Sequence, residues 1–273
     1  MIGQTNLKSR VHSAYRWNKL PHFLVFVGER GSGKKTFVKW LAKDIGAQLI
    51  DVGTGVEAIR DAVKNSYRID QKVIYLFADG DVMSSASRSA LLKVTEEAPK
   101  NAYYILTVSD ISRVTEALRS RACVFAMDSY SLAELSEFVG DDMEHLSMYV
   151  NTCNNAYEVD LLKSYGVDKF VEFVETVVDN IADVEGSNAL KIAQKIAFKD
   201  GDDGYDAKIF LQAFRAECLK RAKEDDEDSS RYISWAKATN KPIRDMQIQS
   251  IDKQHVFDMW IFDIREVAMY AEG

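Results

Sequence analysis

Short apolar runs alternate with amphipathic stretches through residues 1–130, and this alternation is the clearest signal along the chain. Phe23–Val27, Gln48–Val52, Val73–Ala78, Tyr103–Val108 and Cys123–Met127 are brief and mostly lack a polar–apolar period of two. Strands covered by helices on both faces read this way, so the five runs predict a parallel sheet. Helical periodicity fills the intervals at Lys34–Ile45, Gly55–Asn65 and Ser84–Glu97. The expected architecture is a three-layer α/β domain with right-handed crossovers.

Beyond about Asp128 the period changes. Ser131-Leu132-Ala133-Glu134 reads as a capping box opening a helix, and from there onward helical spacing dominates with no strand predicted. Breaks fall near Gly140, Asn151–Asn155, Val184–Ser187, Asp200–Gly204, Glu224–Ser230 and Lys241-Pro242. The breaks divide this half into a small three-helix domain, to about residue 183, and a separate bundle of about four or five helices. The C-terminal run Val256–Met269 carries Phe257, Trp260, Ile261 and Phe262, more apolar circumference than a one-sided surface helix needs. It reads first as core, with burial against a partner subunit as the alternative.

Charge sharpens the division. The net charge of −7 conceals a first segment, 1–130, with 19 basic against 13 acidic residues, and a remainder with 16 against 29. A basic first half suits phosphate-bearing ligands, and an acidic second half repels nucleic acid; an unevenly charged solvated surface is the alternative. No apolar run approaches the ~20 residues of a membrane span, and the N-terminus lacks a basic-then-apolar signal pattern, so a soluble cytoplasmic protein is expected. Cys123, Cys153 and Cys218 are far apart, and His12, His22, His145 and His255 are scattered, which argues against a disulfide framework or a zinc site. The acidic stretch Asp200–Asp206 lacks the glycine and glutamate spacing of a calcium loop.

The chemistry concentrates in Gly28-Glu29-Arg30-Gly31-Ser32-Gly33-Lys34-Lys35-Thr36, directly after the first predicted strand. Gly-x4-Gly-Lys between a strand and a helix is a P-loop, whose backbone N–H groups and following helix N-terminus form a nest for phosphates. Lys34 is the residue expected to reach the β/γ-phosphates. The next position normally carries the hydroxyl that holds Mg²⁺, and here it is Lys35, with Thr36 one position late. An acid is expected after the third strand to hold the metal or activate water. Asp79 stands there, as metal ligand, as base, or simply as part of an Asp-Gly turn; Asp81 follows.

Several further segments resemble the ATPase domain of AAA+ sliding-clamp-loader subunits, of the bacterial DNA polymerase III delta-prime and gamma/tau type. They are Ile2-Gly3-Gln4, Pro21-His22-Phe23-Leu24, Asp81-Val82-Met83-Ser84, Ala90-Leu91-Leu92-Lys93-Val94-Thr95-Glu96-Glu97-Ala98-Pro99, Tyr104-Ile105-Leu106-Thr107 and Ser120-Arg121. The resemblance covers about residues 1–130 and implies three domains: an AAA+ domain at 1–129, a helical lid at 130–184 and a helical collar for oligomerisation at 185–273. It implies that Arg121, at the family's Ser-Arg-Cys motif, acts in trans as an arginine finger on ATP held by a neighbouring subunit. Ser109 falls near the sensor position, and the family's Cys is Ala122 here.

The same resemblance marks departures at the chain's own site. The family's first strand-end acid is Ala78, its Glu is Asp79, the metal-binding hydroxyl is Lys35, and Glu158 falls where the lid carries a phosphate-sensing Arg. Phosphoryl transfer depends on positioning and charge neutralisation, so these departures together imply weak or absent hydrolysis at this site. The expectation is a clamp-loader subunit in a ring-shaped oligomer that holds ATP or ADP weakly or statically, with Mg²⁺ in doubt and no zinc. It would help load a sliding clamp onto primer–template DNA. The helix around Ser84–Glu97 and its preceding loop, with surface positions such as Arg88, is the candidate clamp contact; ordinary domain core, with Leu91, Leu92 and Val94 buried, is the alternative. The alternatives are an active ATPase of the same machine, in which Thr36, Asp79 and Asp81 rescue the metal, and an AAA+ scaffold or adaptor outside clamp loading. A small-molecule kinase is disfavoured by the Ser-Arg motif and the long helical tail.

Overall fold

A computed structural model describes the chain except residues 97, 182–191, 193, 200, 226, 249–250 and 272–273. It divides into two units, Met1–Glu134 and Leu135–Gly273. In the first unit five strands form one sheet in the order β2-β3-β4-β1-β5, every neighbouring pair parallel. The strands are β1 (Phe23–Val27), β2 (Gln48–Asp51), β3 (Val73–Phe77), β4 (Ala102–Val108) and β5 (Cys123–Ala126). All five were expected from the apolar runs. The two edge strands β2 and β5 are only partly buried, whereas β3 and β4 are buried along their whole lengths.

Alternate strand residues feed two cores. Leu24, Phe26, Ile74, Leu76, Ile105 and Phe125 pack against the helices α1 (Thr5–Arg16) and α2 (Lys34–Ile45). Val25, Tyr75, Phe77, Tyr104 and Leu106 pack on the other face against α3 (Val56–Ser66), α4 (Ser85–Glu96) and the short α5 (Glu116–Arg119). Three layers result, with β4 in the middle of the sheet and β1 between β4 and the edge strand β5. The C-terminal ends of β1, β3, β4 and β5 therefore open on one edge of the sheet, where ligands of open α/β sheets bind.

The helix α6 (Leu132–Val139), which spans the division at Glu134, begins with the expected capping box. The Ser131 N–H donates to Glu134 Oε2 at 2.7 Å, and the Glu134 N–H donates to Ser131 Oγ at 3.3 Å. In the second unit there follow α7 (Leu146–Thr152), α8 (Ala156–Tyr165), α9 (Val167–Asn180), α10 (Ala207–Glu224), α11 (Ser229–Asp245) and α12 (Lys253–Ala271). One difference from the sequence reading is a two-stranded parallel pair, β6 (Ile196–Ala197) with β7 (Tyr205–Asp206). Two residues per strand are too few to leave a periodicity. The expected break at Val184–Ser187, and with it the 184/185 domain boundary, lies outside the described residues.

A single core runs from Val139 to Ile264 through this unit, including Phe170, Phe210, Phe214, Trp235, Phe257 and Trp260. The buried indoles are satisfied: Trp235 Nε1 donates to Ile264 O and Trp260 Nε1 to Thr239 Oγ1. α12 buries Phe257, Trp260, Ile261 and Ile264 yet leaves Met259 and Phe262 exposed. Among the described residues, no helix is long and apolar enough to cross a membrane.

Candidate nucleotide site

The loop Gly28–Gly33 leaves β1 and enters α2. Gly33 sits at φ +87°, in the left-handed region, and a Cβ there would lie 2.7 Å from the Tyr130 hydroxyl. At Gly28 a Cβ would meet Ser32 Oγ at 2.6 Å and Met127 Cβ at 2.9 Å. Gly33 needs glycine for its φ, and at Gly28 a side chain would crowd those of Ser32 and Met127. The loop is fastened to its neighbours by the strand order. Gly28 N–H donates to Val108 O at the end of β4, and Met127 N–H donates to Val27 O from the end of β5.

Within the loop, Lys34 Nζ donates to Gly28 O at 2.5 Å and to Glu29 O at 2.9 Å. Burial lowers the Lys34 pKa from the ordinary lysine range, opposed by the carboxylates of Asp81, Asp79 and Glu29. The Ser32 hydroxyl is buried and has no hydrogen-bond partner among the described residues. A glycine cradle, an ammonium on loop carbonyls and an orphaned buried hydroxyl fit a nucleotide's phosphate chain. Arg30, Lys35 and Thr36 are exposed at the rim.

On the β3 side, Asp79 takes up φ +57°, unusual for a residue other than glycine, and starts a 3-10 turn at Gly80–Val82. Its N–H donates to Thr107 Oγ1, and its carboxylate Oδ2 lies 2.8 Å from Lys35 Nζ. Asp81 faces the end of β4: its Oδ2 accepts the Ser109 N–H at 2.8 Å and its Oδ1 the Asp110 N–H at 3.4 Å. The fold thus brings together Lys34, Lys35, Asp79, Asp81 and Ser109, as adjacent strand ends require.

A divalent cation beside the phosphates is what a P-loop implies, and these residues do not fit it. Position 35 offers an ammonium instead of an oxygen donor, that ammonium already occupies an Asp79 oxygen, and both Asp81 oxygens accept backbone N–H groups. Ala78, buried at the strand end, has no ligating side chain.

On the β5 side lies a group that the sequence reading did not single out. The Tyr130 hydroxyl donates to Ser32 O at 3.2 Å. Gln4, in a left-handed conformation, clamps the same segment: its Nε2 donates to Asp128 O at 2.7 Å, and its Oε1 accepts the Asp128 N–H at 2.8 Å. The Ile2-Gly3-Gln4 signal pointed to this region, but pairs 98 and 124 residues apart become visible only once β5 is placed beside β1. Arg121 is exposed just beyond α5, where its Nη1 donates to Ala117 O at 2.9 Å. Glu158 is buried in the helical unit, paired with Lys208 Nζ at 2.9 Å and accepting the Asn154 N–H at 2.7 Å. In α4, Leu91 is buried and Leu92 partly so, while the Val94 side chain lies outside the described residues.

A P-loop between the interior strand β1 and the next helix of a β2-β3-β4-β1-β5 parallel sheet, followed by a helical region, defines an AAA+ type of fold. A family model described as DNA polymerase III, delta subunit, matches residues 46–131. DNA polymerase III subunit gamma/tau of Mycoplasma pneumoniae is 27% identical over 154 residues, spanning 45% of this chain and 23% of that protein. Replication factor C small subunit 1 of Pyrobaculum aerophilum is 24% identical over 265 residues, spanning 83% of this chain and 80% of that protein. A point mutant of Thermotoga maritima RuvB superposes with a TM-score of 0.50 at 15% identity, covering 100% of this chain and 89% of that one, a likeness of fold alone. The chain spans only 23% and 47% of two of the polymerase III relatives it matches. These findings bear out the resemblance to AAA+ clamp-loader subunits.

Proposed function

We propose that the chain is a subunit of a DNA polymerase clamp loader that holds nucleotide statically in its own P-loop and offers Arg121 to ATP in a neighbouring subunit. The observation that carries this reading is the Lys35–Asp79 ion pair inside an otherwise preserved P-loop frame. The frame keeps a phosphate cradle at Gly28–Lys34. The catalytic positions carry a cation and an engaged acid where phosphoryl transfer needs a metal and a free base. Arg121 retains the position at which the family supplies a guanidinium, and its exposure suits a role in trans.

In this reading residues 1–129 are the ATPase-type domain, 130–184 the lid and 185–273 the collar that joins the ring. Gly28, Ser32, Gly33 and Lys34 hold the phosphates, with Glu29, Arg30, Gly31, Lys35 and Thr36 completing the loop and Ser109 beside it. The turn Gly80–Val82 and the start of α4 form the clamp contact; Val82 is 70% exposed there. The basic AAA+ unit is the part directed at primer–template DNA within the assembled complex.

Co-expression with candidate sister subunits and clamp, followed by co-purification and loading onto primed DNA, tests the assignment. The expected result is a stable complex whose loading requires this chain. The purified chain alone should show no ATP turnover. Robust turnover by the isolated chain that disappears in Lys34→Ala would overturn the static site, and failure to join any loader complex would overturn the assignment.

A further inference from the structure

We infer that this P-loop binds nucleotide without a divalent cation, the Lys35 ammonium taking the place of the metal. The inference rests on the reading that the loop holds nucleotide statically. It stands on the contacts of three side chains beside the loop, Lys35, Asp81 and Lys34. Lys35 Nζ is 2.8 Å from Asp79 Oδ2, a direct ion pair at the carboxylate a metal would use. Both oxygens of Asp81, the next acid, accept the N–H groups of Ser109 and Asp110, which ties that carboxylate to the end of β4. Lys34 Nζ bridges the carbonyls of Gly28 and Glu29 in the same loop.

Two ammonium groups therefore stand in the first turn of α2, beside a helix N-terminus that itself favours anions. A P-loop that uses Mg²⁺ has one lysine and a hydroxyl there. Here the second positive charge is covalent. It is held near Asp79 on a four-carbon stem that can swing toward a phosphate oxygen. A metal would have to displace an ammonium from Asp79 and would find no oxygen at position 35. The ligand class is a nucleoside di- or triphosphate free of divalent metal. Because one ammonium supplies less charge than Mg²⁺, the diphosphate is the better match. No bond is made or broken: the site is a nucleotide clasp.

Calorimetric titration of the purified full chain with ADP and with ATP, each in excess Mg²⁺ and in EDTA, tests this. The expected affinities in the two conditions agree within about threefold, with ADP the tighter ligand. Lys35→Thr restores a hydroxyl and should make affinity depend on Mg²⁺ by about tenfold or more. Lys35→Met supplies neither charge nor hydroxyl and should weaken binding in both conditions. Lys35 is exposed, so neither variant threatens the fold. Wild-type binding that strengthens about tenfold with Mg²⁺ would overturn the inference. So would the absence of nucleotide binding in both conditions, an outcome that leaves assembly into a loader complex standing. Metal-independent binding by a chain that joins no loader would instead sink the clamp-loader assignment and keep this inference.

Discussion

Lys34 and Lys35 are neighbours in sequence with different tasks, and the difference is set by what each ammonium meets. Lys34 turns inward onto two loop carbonyls, and Lys35 turns outward onto Asp79. Lys34→Ala removes the ammonium from the phosphate cradle. We expect loss of nucleotide binding by at least about a hundredfold, since charge-assisted bonds to phosphate are the strong ones, with thermal stability in the absence of nucleotide little changed. Calorimetric titration and a melting curve check the two halves of that statement. Gly33→Ala should be costlier for folding than its size suggests, because it combines a φ of +87° with a Cβ 2.7 Å from the Tyr130 hydroxyl. At this scale Gly28–Thr36 and Asp79 stood out because motif spacing is local, whereas Ser109 and Arg121 were marked only by the resemblance to clamp-loader subunits, and their roles belong to the proposal above. The Lys35–Asp79 pair, the Tyr130 hydroxyl on Ser32 and the Gln4 clamp were not legible in the sequence, because each depends on which strand lies beside β1.

The secondary-structure elements show why some of the fold could be read ahead. The five strands are bounded by polar turns and buried by helices, so their apolar runs stand out, and α2 was expected at its observed bounds, Lys34–Ile45. α1 escaped notice because only Leu7 and Val11 of its twelve residues are buried, which leaves a single i,i+4 pair as the helical signal. The capping box on α6 was legible and formed as expected. Ser131→Ala should destabilise by about 1 kcal/mol, measured by denaturant unfolding.

The start of α7 carries a pH-sensitive tie that no sequence pattern announced. His145 Nδ1 lies 2.8 Å from Asp142 Oδ1, and Nε2 lies 2.9 Å from Asp168 Oδ1 at the start of α9. Asp142 first, and Asp168 second, raise the His145 pKa above its ordinary 6.5. A raised folded pKa contributes stability that is fully present below the unfolded value and lost as pH rises through the folded one. Melting temperature should therefore fall as pH climbs from about 6.5 through the raised value, and His145→Gln should flatten that slope. A wild-type profile that rises over the same window would contradict the assignment of charge to this imidazole.

For the molecule as a whole, the two units divide chemistry from cohesion. Met1–Glu134 holds the candidate phosphate cradle on the strand ends, and Leu135–Gly273 has a continuous aromatic core. The change of period near Asp128 and the reversal of charge made that division readable, whereas the β6–β7 pair was too short to leave a pattern. Trp260→Ala would remove a fully buried indole and the N–H that Thr239 Oγ1 accepts, at a cost of about 3–5 kcal/mol to the helical unit. The central claim is that the consequential ATP lies in a neighbour's site. Steady-state ATP turnover of the assembled complex on primed DNA tests it most directly, with Arg121→Ala and Lys34→Ala introduced into this chain one at a time. The account predicts that Arg121→Ala lowers turnover at the adjoining site by about a thousandfold or more while the complex still assembles, and that Lys34→Ala leaves turnover largely intact. Turnover that survives Arg121→Ala and collapses in Lys34→Ala would contradict it.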